Sequence, residues 1–355
     1  MIYMIGLAVI VAVLGLLPDQ YGLRQKNHKS YLILCCIIIT LIAGLRSMYV
    51  GSSDTWTYAY RFNSMMKYDT FSQYYDANLA DKSFLVSESG FYWFVWLLSR
   101  LTEDPQWLIF ITSAFTTTAA CLFIYRNSSD GFISLLIYVC LGLFTFNLNG
   151  MRQAMAMSVC LFAYEHAKKR NLIRFILLVL LAMQFHKTAI CFFPIFILPM
   201  MNYSKSNIFM YICGMMLFLL LLDNIVLVYN DLSGETYDAT DSSTGGGLFV
   251  VIIYLFALVI SIIQPDAMKN RQASIACFAV VAGLAAYIAR FFSNQMMERI
   301  SYYYFYFVIL LIPTSLKTLD TKESKVIRWM FIAFALALYA YRIYTGQFRS
   351  FKLCF

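Results

Sequence analysis

Apolar runs recur along almost the whole chain, many of them near the roughly 20 residues that cross a bilayer as a helix, and this constrains the fold more than any other feature. The runs lack the alternation of a barrel strand. Backbone hydrogen bonds in lipid therefore have to close inside helices. With 61% hydrophobic and 13% charged residues over 355 positions, the chain carries more apolar surface than a soluble core encloses. The expected fold class is all-α: one integral membrane domain over residues 1–355, a polytopic transmembrane helical bundle.

The formal net charge of +8 raises the question of partners, and its distribution answers it. Basic residues gather in short connections: Arg24, Lys26 and Lys29; Lys168, Lys169, Arg170 and Arg174; Lys269 and Arg271; Lys317, Lys322, Lys325 and Arg328. That is the positive-inside pattern of a protein in a lipid bilayer, and it excludes a nucleic-acid surface. With those loops in the cytoplasm, spans fall near residues 2–17, 31–49, 107–125, 132–148, 152–167 and 171–185, then 188–200, 207–224, 248–264, 273–291, 300–316 and 327–344. The expected total is about twelve. The first has no basic region before it and no cleavage site after it, so it reads as a retained helix. Eight of the nine cysteines lie in apolar runs and none has metal-type spacing, so they read as small core side chains.

Phe91 to Leu101 is apolar but too brief to cross unaided, and it contains Arg100. If it crossed, Lys168, Lys169 and Arg170 would face outward. A re-entrant or amphipathic helix inside a long outer segment, residues 50–106, keeps them inside. A second outer loop, residues 223–247, is acidic and glycine-rich. This topology brings Arg46, Asp54, Glu88, Arg152, His186, Arg290 and Arg299 to one face of the membrane.

Arg152 is the most informative of these. It sits with Asn149 and Gln153 between two apolar segments, and a guanidinium at mid-bilayer costs roughly 2.5–3.5 kcal/mol, so it faces a cavity, a partner or an anion. Asn149, Arg152, Gln153 and Ala156 share a helix face. At the start of a span, the free N–H groups and the positive dipole end add to the guanidinium and make a seat for phosphate or pyrophosphate. A helix-end arginine paired with lipid phosphate or an acidic loop is the competing account. Asp54, Tyr58 and Arg61 share a face by their spacing of four and three; Asp54 alone reads equally as a helix N-cap, and Arg46 as an interfacial anchor. His186, one of three histidines, occupies a turn between apolar runs. It suits a proton acceptor near neutral pH, or a hydrogen bond tying two helices. No spacing of histidines and carboxylates indicates a metal site, and no cofactor is implied.

These residues form an ordered set: Arg46, Gly51, Asp54 and Tyr58; Glu88-Ser89-Gly90-Phe91; Asn149, Arg152, Gln153 and Ala156; Phe185-His186-Lys187-Thr188-Ala189; Arg299, Ile300 and Tyr303. The set resembles the EpsG family of Wzy-type polysaccharide polymerases, over about residues 31–316. Thr188 stands where the family more usually has serine, and it keeps the hydroxyl. The resemblance implies a GT-C-like glycosyltransferase of the bacterial cytoplasmic membrane with its site facing outward. Its donor and acceptor would be oligosaccharides linked to undecaprenyl pyrophosphate, and its protein partner a chain-length regulator. On that reading His186, Arg152 and Asp54 carry the chemistry. Arg46, Glu88, Asn149, Gln153, Arg290 and Arg299 bind substrate. A ligase using the same lipid carrier would need the same cations. A flippase or transporter would instead need charge along a central route, whereas here the cations gather at one end of the spans.

Overall fold

The computed structural model describes residues 1–17, 25–50, 53–79, 88–221, 248–264, 266–291, 295–317 and 322–354. The expected outer loop 223–247, and Gly51 with residues 80–87 of the outer segment 50–106, lie outside the described residues. What is described is helical, with no strand; one isolated antiparallel bridge joins Arg46 to Leu353.

The helices are α1 (Ile2–Leu16), α2 (Gln25–Gly44), α3 (Ser53–Met65), α4 (Phe71–Asn78), α5 (Ser89–Leu101), α6 (Gln106–Asn127), α7 (Gly131–Cys140), α8 (Leu143–Asn149), α9 (Met151–Lys168) and α10 (Leu172–Met183). After them come α11 (Lys205–Leu220), α12 (Leu248–Ile263), α13 (Arg271–Ala289), α14 (Gln295–Phe305), α15 (Val308–Lys317) and α16 (Lys322–Thr345). Among the described residues three are long and apolar enough to cross a membrane alone, and up to five spans result if each bent pair, α7 with α8 and α14 with α15, counts as one. Six other apolar segments are shorter. Long apolar helices and a large lipid-suited surface make this an integral membrane protein.

Every residue of α7 is buried, as a helix that is apolar all round must be. It is surrounded by α1, α2, α6, α15 and α16. Its start is fixed by Asp130, whose carboxylate accepts from the Phe132 and Ile133 N–H groups and pairs with Arg328 at 2.9 Å. Its end is fixed by Gly142 at φ +116°, a left-handed position open to glycine, which turns the chain by 48° into α8. The expected span 132–148 is therefore broken in the middle.

The expected helix at 188–200 is also different. It forms 3₁₀ turns, Lys187–Phe196 and Leu198–Met200, because Pro194 and Pro199 each remove a backbone donor from a short run. Phe91 to Leu101 forms most of α5, and with α3 and α4 it builds a second core around Phe62, Tyr74, Phe91, Tyr92 and Val95. Met151 and Met155 of α9 complete that core. The small domain-like cap is thus seated directly on the first turn of α9, where Arg152 lies.

A candidate active site at the Glu88 carboxylate

Helix α5 reaches α10 through Gly90. A β-carbon there would stand 2.6 Å from Cβ of Gln184, so only glycine permits the approach. Once docked, the Phe91 N–H donates to the Gln184 carbonyl at 3.0 Å and the Ser89 hydroxyl to the Gln184 side chain at 3.1 Å. The helix is preceded by Glu88 in the left-handed region at φ 50°. That costly conformation for a side-chain-bearing residue is held by three bonds to its carboxylate.

Oε1 of Glu88 lies 2.6 Å from Nδ1 of His186 and accepts the Lys187 N–H at 3.1 Å. Oε2 accepts from the Arg152 guanidinium in a short ion pair. Arg152 also donates to the Tyr58 hydroxyl at 3.3 Å and the Tyr92 hydroxyl at 3.4 Å, and it lies over the Tyr58 ring. Tyr92 accepts a further bond from Arg61. Three segments far apart in sequence thus meet at one buried carboxylate.

Burial alone raises the Glu88 carboxyl, but the bond from His186, the charge of Arg152 and the Lys187 N–H bring it down to about 2, so it is ionised. Burial lowers His186 below its ordinary value, and the neighbouring carboxylate opposes this without reversing it. His186 is then neutral near pH 7. With the carboxylate fixed as acceptor, the ring proton belongs on Nδ1, which donates to Glu88. Nε2 is left as a buried lone pair with no hydrogen-bond partner among the described residues. Arg46 Nε and Trp96 Nε1, which only donate, share that lack of a partner, as do the Asn147 amide oxygen and the Tyr164 and Ser274 hydroxyls, none of which is basic near neutral pH.

The other expected site residues are spread around this centre. Arg46 is 1% exposed; it donates to the Ala43 carbonyl at 2.6 Å, the Leu148 carbonyl at 2.9 Å and the Ser113 hydroxyl at 2.9 Å, tying α2, α6 and α8. Asp54 is exposed in the first turn of α3. Gln153 donates to the Arg299 carbonyl at 2.6 Å, which fixes α9 to α14. The Arg299 side chain is exposed, and its charge acts on His186. The Asn149 amide meets Gln347 at 3.1 Å. Arg290 pairs with Glu298 at 3.2 Å and donates to Tyr287. Tyr92, absent from the sequence-based set, belongs to the centre; its place one turn after Glu88 on α5 is the signal that marks it.

The family model described as the EpsG family matches residues 29–353. No curated protein and no solved structure matches the chain.

Proposed function

Because the chain belongs to the EpsG family, a family of Wzy-type polymerases, we propose that it joins lipid-linked oligosaccharides, with Glu88, Arg152 and His186 as its catalytic centre. A glycosyltransferase-type polymerase role in polysaccharide biosynthesis follows from the family. The donor is a growing glycan on undecaprenyl pyrophosphate, and the acceptor is the non-reducing end of a new repeat unit on the same kind of lipid. The site faces the outside of the bacterial cytoplasmic membrane in a GT-C-like bundle, where a chain-length regulator is the corresponding partner protein.

The acceptor hydroxyl attacks the anomeric carbon as the bond from that carbon to the pyrophosphate oxygen breaks, with inversion. One glycosidic bond forms. The hydroxyl proton passes to Nε2 of His186, and lipid pyrophosphate departs with its charge held by Arg152 and Arg299. Pyrophosphate is a good leaving group, so charge stabilisation contributes more than acid catalysis would. Glu88 holds the imidazole in the tautomer that leaves Nε2 as the proton acceptor and offsets the positive charge that develops on it. Asp54, exposed on α3 one turn before Tyr58, orients the acceptor. Arg46 supports the site by fixing α8.

The unpartnered, buried Nε2 beside a cation carries this reading: a histidine serving only to tie helices has no need of a free lone pair. The test supplies purified protein in detergent with the repeat-unit lipid alone. A ladder of lengthening lipid-linked products from the wild type, absent from Arg152→Ala and His186→Ala proteins that remain folded, supports it. A ladder of wild-type length from His186→Ala removes His186 from the mechanism, and a wild type that moves glycan only to an unrelated acceptor makes the protein a ligase.

A further inference from the structure

Helix α14 has two working faces. Tyr303 contacts the Thr188 hydroxyl at 3.2 Å and Arg299 acts on His186, which places this face on the catalytic side. Glu298 and Tyr302, spaced by four residues on the other face, border a separate open cavity of about 870 Å³ between α8, α12, α13, α14 and α16. That volume is in the range of pockets for small ligands, about 300–1,000 Å³. The catalytic centre does not include it.

The cavity is cationic and aromatic together. Arg342 of α16 and Arg290 at the end of α13 border it, and among the described lining residues Glu298, which Arg290 already meets, is the one carboxylate. Arg342 makes no ion pair among the described residues; its guanidinium rests on the Phe249 ring, 4.7 Å from the centroid. Phe146 and Tyr302, stacked on each other at 4.0 Å and 19°, both border the cavity. Asn149 and Gln347 add amides.

The backbone at Gly142 runs close beside the tip of Arg342. A β-carbon on Gly142 would stand 2.8 Å from a guanidinium nitrogen, at a φ that already disfavours side chains. The same glycine breaks α7 from α8 and so directs Phe146 and Asn149 to the cavity. Broken helices at membrane depth recur where the backbone lines a ligand site.

We propose that this cavity seats the phosphate-bearing sugar headgroup of a second lipid-linked glycan, with Arg342 as its anion contact and the Phe146–Tyr302 pair as the surface for the sugar. It rests on the polymerase reading, which requires two lipid-linked substrates held side by side. Asn149 at the cavity and Arg152 in the catalytic centre are three residues apart, on either side of Gly150, where α8 ends and α9 begins.

Native mass spectrometry of the full-length protein with undecaprenyl pyrophosphate tests this. The wild type is expected to bind two molecules. Arg342→Gln keeps one and loses affinity for the other by about tenfold or more, and Arg152→Gln loses the opposite one. Arg342→Gln that binds two molecules with wild-type affinities overturns the proposal. If that variant does not fold, Gln347→Glu, at an exposed position on the cavity edge, adds a like charge; it should weaken one site and leave the other, and two unaltered sites overturn the proposal equally. A wild type that binds two molecules but builds no ladder refutes the polymerase reading and leaves the cavity standing. A wild type that builds a ladder but binds one refutes the cavity alone.

Discussion

Two of the buried polar networks among the described residues are completed differently. At the end of α6, Asn127 receives bonds from Lys168 and Gln272 on its side-chain oxygen, and it donates from its nitrogen to Glu165 at 2.8 Å and to the Phe123 carbonyl at 2.9 Å. Both side-chain atoms of Asn127 are matched, so the network ties α6, α9 and α13 without offering anything to a substrate. At Glu88 the carboxylate is equally well matched, yet the histidine beyond it has one atom left over. A saturated network stabilises; a network with an acceptor left over can also take a proton.

That contrast breaks if His186→Ala retains activity. The expected loss in rate of ladder formation is about 10²–10⁴-fold, the usual worth of a positioned base, with little change in the amount of folded protein in the membrane. Arg152→Lys comes next. It keeps the charge but loses the fork that spans Glu88, Tyr58 and Tyr92, and a fall of about 10²-fold in turnover is expected, measured by the same product ladder. A lysine variant at wild-type rate would mean that only a point charge is needed.

The pH profile sharpens the comparison further. His186 is lowered in the folded protein, so its base form persists below 6.5 and kcat/KM should be flat above that pH. Below the lowered folded value, activity should fall by about tenfold per pH unit. Stability follows a related path. The unfolded chain takes up a proton on His186 as pH drops below 6.5 while the folded protein resists it, so unfolding becomes easier there. Glu88, depressed to about 2 from 4.5, stabilises the fold above 4.5, and that contribution is lost as pH falls through about 2. The smallest effect on catalysis belongs to Asn127→Ala: a loss of about 1–3 kcal/mol in stability, read by thermal unfolding, with turnover per folded molecule unchanged. A collapse in turnover would show that the two networks are coupled.

Much of the bundle was legible because apolar length and basic loops report directly on helices in lipid; α6, α13 and α16 fall where those signals put them. The break at Gly142 was not, since a glycine inside an apolar run gives no sign of its φ. The 3₁₀ turns after His186 had a visible cause in Pro194 and Pro199, although length and hydropathy favoured a regular helix. At the site, the residue types pointed to Arg152 and His186. The central position of Glu88 depends on a contact 98 residues away, and no local pattern encodes such a contact. The charge of Arg46 is visible in the sequence, while its full burial against backbone carbonyls depends on how α2, α6 and α8 pack.

The shared carboxylate also sets an order of events during synthesis. Glu88 leaves the ribosome 64 residues ahead of Arg152 and 98 ahead of His186. Until both arrive, the acid has neither its cation nor its imidazole, and it must remain hydrated at the membrane surface. The cap of α3, α4 and α5 can then close onto the bundle only after the turn beyond α10 has been inserted. A nascent chain that stops just short of His186 holds slightly more than half of the protein and still lacks the proton acceptor.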